Sequence, residues 1–243
     1  MGKLFHSEFL KLRKSSIWLL IFVSPILSLL LGLSELNKFP DLEREQWISA
    51  LGIMTISHAV LFLPLLTGVF SGFICRYEHV GGGWKQLLSL PVSRCNVYFM
   101  KIIIVSLLIA LTQLLFITGL FIVGYVNGYP TDIPWSVITT SVLGGWIACL
   151  PLISLQMFVS VAWSSFAAPF AVNVIFTIPN ILIINSEKFS PFYPWLQPFL
   201  LMTPNSVESF GAFSGSAAQF VVVFGSLMLF LGSGFWYFSR KEI

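Results

Sequence analysis

Cys75 and His79 stand one helical turn apart, a spacing at which two soft side chains can share a metal ion. A closed zinc site takes four ligands and no third lies near this pair, so a border cysteine and a solvated histidine is the plainer reading. His58, flanked by Thr55 and Ser57, is the one side chain in the apolar stretches that reads as titratable. It fits either a polar site or a hydrogen-bonded packing histidine near the outer end of its helix. The triple glycine Gly81–Gly83 lacks the Lys and Ser or Thr that a phosphate-cradling loop places after its glycines, and it reads as a flexible hinge before a helix. Neither HExxH nor GxSxG occurs, and the apolar stretches hold no paired Asp, Ser with His, or zinc ligands for proteolysis within a membrane. Three cysteines, Cys75, Cys95 and Cys149, are an odd set at or within the apolar stretches, which assigns them to packing rather than disulfides.

The elements that must position these residues follow from composition. Apolar residues make up 56%, charged residues only 9%, and the mean hydropathy is +0.89, the profile of an all-α polytopic membrane protein. Five charge-free blocks run from Ser15 to Ser34, Gln46 to Cys75, Ile102 to Thr131, Ile133 to Ser186 and Ser209 to Ser239. A crossing takes roughly 20 apolar residues, so the fourth block holds two, broken near Trp163, Ser164 and Ser165. Six spans result, at about 16–33, 49–75, 97–125, 134–163, 165–185 and 217–238, in a single transmembrane domain over 1–243. The first block is too long for a cleaved signal and no cleavage site follows it, so it reads as a span. Residues 2–15 put Phe5, Phe9 and Leu12 on one stripe with Lys3, His6, Ser7, Lys11, Arg13 and Lys14 largely opposite, an amphipathic helix lying in the inner interface.

Lys and Arg are retained on the cytosolic side during insertion. With the N-terminus inside, Lys3, Lys11, Arg13, Lys14, Arg76, Lys85, Arg94, Lys101, Arg240 and Lys241 are inner; Lys38, Arg44 and Lys188 are outer. Both termini are then cytosolic. The net charge of +3 is an orientation signal and implies no nucleic-acid partner. The spans are expected to carry no Asp, Glu, Lys or Arg, which argues against ion-coupled pumping and channel activity. Gly68 and Gly72, four apart in span two, permit close helix packing, either within the chain or at a subunit interface. Between Glu187 and Gly215, Pro191, Pro194, Pro198 and Pro204 alternate with aromatics. That density forbids a continuous helix and predicts short re-entrant or interfacial helices in the outer leaflet before span six. There Phe192, Tyr193, Trp195 and Phe199 form either an aromatic belt or a contact surface for an amphipathic substrate.

The hairpin 76–96 is the remaining feature. Trp84 to Leu90 can form about two helical turns, stopped by Pro91. Trp84, Leu87 and Leu88 then share one face, expected to stand outside the bilayer as an exposed anchor for a protein groove.

The run Glu78, Gly82, Trp84, Lys85, Leu87, Leu88, Leu90, Pro91, Val92 and Arg94, with Lys101 opening the next span, resembles the signature between spans two and three of type-2 ABC exporter permeases. Within that family, EHVGGGWKQLLSLPVSR is most similar to permeases of lantibiotic immunity and bacitracin resistance. The resemblance implies a half-transporter of a bacterial cytoplasmic membrane, without its own ATPase domain. Its partners would be a cytosolic ABC ATPase dimer, which binds the ATP and Mg, and a second permease copy or homologue. It further implies that Trp84 to Leu90 is the coupling helix, with Glu78, Gly82, Lys85, Leu88, Pro91 and Arg94 around it, and that Glu78 holds the N-terminal segment against that junction. The implied cargo is a membrane-inserted antimicrobial peptide, with another hydrophobic drug or a lipid as the alternative. Two other classes stay open: a membrane sensor or assembly factor whose hairpin docks another soluble protein, and an intramembrane enzyme.

Overall fold

The computed structural model describes residues 2–13, 15–35, 46–89, 91–203 and 217–241. The acidic stretch 36–45, expected as an outer loop after span one, Leu90, and the stretch with Pro204, Phe210 and Phe213 lie outside them. All regular structure among the described residues is helical.

Helix α1 (Gly2–Arg13) precedes α2 (Ile17–Glu35). The second crossing is one path in three parts: α3 (Gln46–Ser57), a π-helical turn (His58–Phe62) and α4 (Leu63–His79). The cause of the wide turn is at hand, because Pro64 has no N–H to return to the Val60 carbonyl one turn back. Helix α5 (Gly83–Leu88) leads to α6 (Arg94–Val126), whose start is capped by the Ser93 hydroxyl accepting from Asn96 N–H at 3.2 Å. Helices α7 (Trp135–Ala162), α8 (Ala167–Thr177), α9 (Asn180–Ile183), α10 (Gln197–Met202) and α11 (Ala217–Arg240) complete the order.

Among the described residues five helices are long and apolar enough to cross a membrane: Ile17–Ser34, Gln46–His79, Arg94–Val126, Trp135–Ala162 and Gln219–Arg240. The stretch expected as span five is a shorter apolar helix, Ala167–Ile183, interrupted before Asn180 by Pro179. Helix α7 is central, touching α4, α6, α8, α10 and α11, while α2 packs on α3 and α6. The outward face of α2 is wholly apolar, with Leu19, Phe22, Val23, Ile26 and Leu30 exposed, and α11 exposes Phe220, Val221, Phe224, Met228, Leu229 and Trp236. Water would not tolerate such faces on two long helices, whereas acyl chains match them. The chain is a multi-pass membrane protein.

The ends of the bundle differ in chemistry. One gathers α1, the end of α4, α5, the start of α6 and the ends of α7 and α11. The other joins Trp47 to the end of α6, its Nε1 donating to Pro130 O at 3.0 Å and its ring filling the space above Gly124.

Candidate functional site

The hairpin is folded back rather than hinged. Gly82 has φ +73°, the left-handed region that glycine enters without penalty, and it turns the chain directly into α5. A Cβ on Gly83 would stand 2.9 Å from both Glu78 Cα and Tyr77 O, so the start of α5 lies on the backbone of α4. The Gly81–Gly83 run is thus a defined close turn, which corrects the expectation of a flexible hinge.

That turn reverses the expected direction of the knob. Trp84 and Leu87 are 5% and 7% exposed and Leu88 is half-buried, whereas Lys85, Gln86 and Ser89 face out. The Trp84 ring packs on Phe238 of α11 at 5.3 Å and on His79 at 5.8 Å. An indole left in water would forfeit that burial, and the left-handed turn lets it reach the bundle end. The outward surface of the hairpin is therefore Val80, Lys85, Gln86 and Ser89, with Tyr77 beside it.

Beneath Trp84 lies a group of four charges, Glu8, Glu78 and Lys101 buried and Lys11 partly so. Lys101 of α6, 1% exposed, donates to Glu8 Oε2 of α1 at 2.9 Å and to Glu78 Oε1 of α4 at 3.1 Å. Lys11 of α1 donates to Glu8 Oε1 and to Glu78 Oε1, each at 2.6 Å. The Lys101 ammonium also sits 5.4 Å from the Trp84 ring centroid. Two carboxylates against two ammoniums leave the group neutral, the condition under which charges survive burial. The expectation of charge-free spans is corrected here, since Lys101 is well inside α6. From the sequence, Lys11 stood on the polar stripe of the first helix and Lys101 at the opening of a span, both as inner-side cations, and neither was paired with Glu8 or Glu78. The usable signals were Glu8 and Lys11 one turn apart on α1 and a lone lysine seven residues past Arg94, on the same face of a long apolar helix.

The surrounding helix ends are closed by basic side chains. Arg94 Nη1 donates to the carbonyls of Phe238, Ser239 and Lys241 at 3.3, 3.0 and 2.8 Å, taking up the unpaired acceptors at the end of α11. Lys241 Nζ donates to Val161 O at 2.5 Å and His79 Nε2 to Ser160 O at 2.8 Å, doing the same for α7. Pro91 is exposed on the return strand into α6. Glu78, Gly82, Trp84, Leu87 and Arg94 thus meet within one joint that binds α1, α4, α5, α6 and α11, with Lys85 and Pro91 on its outer side.

A family model for the ABC-2 family transporter protein matches residues 4–180. The chain belongs to the ABC-2 transporter family. No curated protein and no solved structure matches it. The match runs through α1, the hairpin and the charge cluster of this type-2 permease.

Elsewhere in the permease, His58, Asn173 and Asn180 are tied up in packing. His58 is fully buried, stacked 4.3 Å from Phe116. Gln113 Nε2 donates to Val142 O, so its Oε1 accepts from His58 Nε2–H at 3.2 Å, and His58 Nδ1 accepts from the Ser24 hydroxyl at 2.6 Å. Both ring nitrogens are occupied. Asn180 Nδ2 donates to the Val60 carbonyl that Pro64 frees, at 2.7 Å, and Asn173 Nδ2 to Pro64 O and Leu65 O at 2.9 and 3.1 Å. Gly68 makes room for Asn173, and a Cβ on Gly72 would meet Phe166 at 2.8 Å, so both glycines face α8 of the same chain. Cys75 and Cys149 are buried and free, Cys75 Sγ lying 3.4 Å from Met157 Sδ, and the described residues hold no metal-binding group.

The prolines at the far end curl the chain inward. Trp195 and Phe199 are 6% and 2% exposed; Trp195 Nε1 donates to Asn173 Oδ1 at 3.2 Å and its ring stacks on Phe176 at 4.8 Å. Tyr193 is half-buried, donating its hydroxyl to Phe176 O at 2.6 Å. Of the four aromatics expected at the substrate surface only Phe192 stands out, which corrects that grouping. Helix α10 follows them in, resting on Gly144 and Gly145 of α7, with Met202 Sδ 3.5 Å from Gln113 Nε2. Short helical turns at Ser190–Phe192 and Pro194–Leu196 make this descent possible.

Proposed function

We propose that this chain is the membrane half of an ATP-driven exporter, crossing the membrane six times with both termini in the cytosol. In this reading α8 and α9 make the fifth crossing despite their short length. A separate cytosolic ATPase dimer binds ATP and Mg and docks on the hairpin through Val80, Lys85, Gln86 and Ser89. A second copy of the permease, or a homologue, completes the pathway, and membrane lipid surrounds both. The observation that carries the proposal is the buried Glu8–Lys11–Lys101–Glu78 group under Trp84.

The mechanism follows from what that group does mechanically. Breaking one member of a buried neutral set strands the others, so α1, α4 and α6 resist moving apart at this level. Trp84 inserts α5 into the same joint. A force applied to the outward face of the hairpin is thereby delivered to α4 and α6 together, and through Arg94 to α11. Trp84, Leu87 and Leu88 act as the inner half of the coupling device and Lys85 as part of its outer half. The cargo we infer is a hydrophobic or amphipathic peptide of the lantibiotic type, expelled for self-immunity or resistance. The apolar, lipid-matched faces of α2 and α11, and the excess of Glu35, Asp41, Glu43, Glu45, Asp132, Glu187 and Glu208 over Lys38, Arg44 and Lys188 in the expected outer loops, suit a cationic amphipath. The outward aromatics available to it are Phe189 and Phe192.

The test is to tag the chain in its native membrane, solubilise it gently and identify the bound proteins by mass spectrometry. A P-loop ATPase in stoichiometric amount supports the proposal. Recovery of the chain alone, or with a histidine kinase, overturns it in favour of a sensor. If the ATPase is present, a Lys85→Glu variant is expected to lose it while remaining folded, and peptide resistance of the producing cells then separates peptide cargo from a drug or lipid.

A further inference from the structure

The stretch Ala167–Ile183, α8 and α9 together, is an apolar helix of 17 residues. At the usual helical rise it is roughly 25 Å long, against a hydrocarbon core of roughly 30 Å. Its outward side chains are large and apolar, with Ile175, Ile178, Ile181 and Leu182 each more than half exposed. Polar residues bound this face at both ends, so the flanking chain does not lengthen it. At the hairpin end Ser164 and Ser165 are exposed and share a recess with Arg76 and His79 of α4. At the other end Asn185, Glu187 and Lys188 are exposed.

That far end also stops short of its neighbours. Asn180 Nδ2 donates to Val60 O at 2.7 Å, two residues past His58, and His58 meets Gln113 of α6 at 3.2 Å. Asn180 therefore stands close to the level of Gln113, from which α6 runs on to Val126 for roughly another 20 Å. After Asn180 the chain turns back at once. Ser190 N–H donates to Ser186 O at 3.0 Å, and Trp195 O accepts from the same Asn180 Nδ2 at 3.1 Å. Glu187 and Lys188 thus lie well below the end of α6, at a depth that a flat leaflet would fill with acyl chain. A charge held in hydrocarbon is costly, and bending the leaflet to bring its headgroups to these two residues costs less.

We propose that the bilayer is thinned beside α8 and α9, and that this face takes phospholipids of short acyl chain as its neighbours. A protein partner would set no limit on the length of an apolar face, whereas a leaflet must match it, and this face falls roughly 5 Å short. Thinning requires α8 and α9 to be a crossing, as proposed above, so the two are tested separately.

The crossing is read by sidedness. Single Lys85→Cys and Lys188→Cys variants, in a Cys95→Ser background, are labelled with a membrane-impermeant maleimide before and after intact cells are opened. Labelling from opposite sides is expected; labelling from one side would overturn the crossing and the thinning with it. The thinning is read with the whole chain in an equimolar mixture of dimyristoleoyl and dioleoyl phosphatidylcholine, by native mass spectrometry of the lipids retained. Enrichment of the shorter lipid by roughly twofold is expected. A Ser164→Leu/Ser165→Leu double variant lengthens the apolar face by roughly 3 Å and should bring the ratio close to parity. Ser136→Leu, on the exposed start of the much longer α7, should leave it unchanged. Thermal unfolding in discs of each single lipid gives a second readout: the parent is expected to be most stable in dimyristoleoyl discs, and the double variant to move its optimum towards dioleoyl. Opposite-side labelling with parity in the parent, or with an enrichment that the double variant keeps, would overturn the thinning alone. If parity comes with a dimer that Ile178→Arg splits, the face belongs to a second copy of the chain instead of lipid.

Discussion

Replacing Lys101 by Met removes one charge from a set that is neutral only as a whole. The side chains of Lys101, Glu8 and Glu78 are 1%, 5% and 4% exposed, so solvent does little to screen what remains. Glu8 and Glu78 would then share Lys11 alone, whose side chain is 31% exposed and whose bonds count for less. Stranding a buried carboxylate in this way costs about 3–5 kcal/mol. The cation–π contact with Trp84 adds about 0.5–2 kcal/mol more. Adding Glu78→Gln restores neutrality with the Glu8–Lys11 pair intact and is expected to recover about half of the loss. The assay is reversible unfolding of the purified chain in mixed detergent, comparing parent, single and double variants in one cycle. A loss below about 1 kcal/mol in Lys101→Met, or a double variant no better than the single, would show that the group is not a coupled buried set, and the account of the joint would fall with it.

Gly83→Ala should push α5 off α4, because its Cβ meets backbone at 2.9 Å rather than a movable side chain; a cost of about 1–3 kcal/mol is expected, read as lowered thermal stability with faster proteolysis at the hairpin. Arg94→Ala leaves three carbonyls at the end of α11 without their donor, and hydrogen exchange over the last turn of that helix should rise by the equivalent of about 1–2 kcal/mol, with exchange at the far end of α6 unchanged. Asn180→Leu strands the Val60 carbonyl that Pro64 already deprives of its helical partner, and also frees Trp195 O. A loss of about 1–3 kcal/mol is expected, with increased exchange in 190–202 and little change at the hairpin. Uniform exchange changes across the bundle would count against that assignment.

Hydropathy located the five long apolar helices because it is a sum over neighbouring residues, and a bilayer acts on each stretch of chain separately. The same local character let Trp84 to Leu90 be read as a short helix that Pro91 stops. Local periodicity could say that Trp84, Leu87 and Leu88 share a face of α5, but it held nothing about which way that face looks. Gly82 at φ +73° and the close contact of Gly83 with α4 turned it inward. Glu78 stood out through a family resemblance, whereas Lys101 and Glu8 are 93 residues apart, and Arg94 reaches carbonyls 144 or more residues away. At the far end, the aromatic and proline content announced broken helices, yet whether Trp195 and Phe199 meet lipid or protein depended on the space that Gly144, Gly145 and the π-helical turn leave for them. Sequence alone determined a multi-pass helical membrane protein with one structured basic hairpin, because burial in lipid and backbone turn chemistry are properties of contiguous residues. The tertiary structure alone decided which charges neutralise each other and which apolar faces are inside, because the desolvation of a charge is offset only by partners that distant segments bring to it.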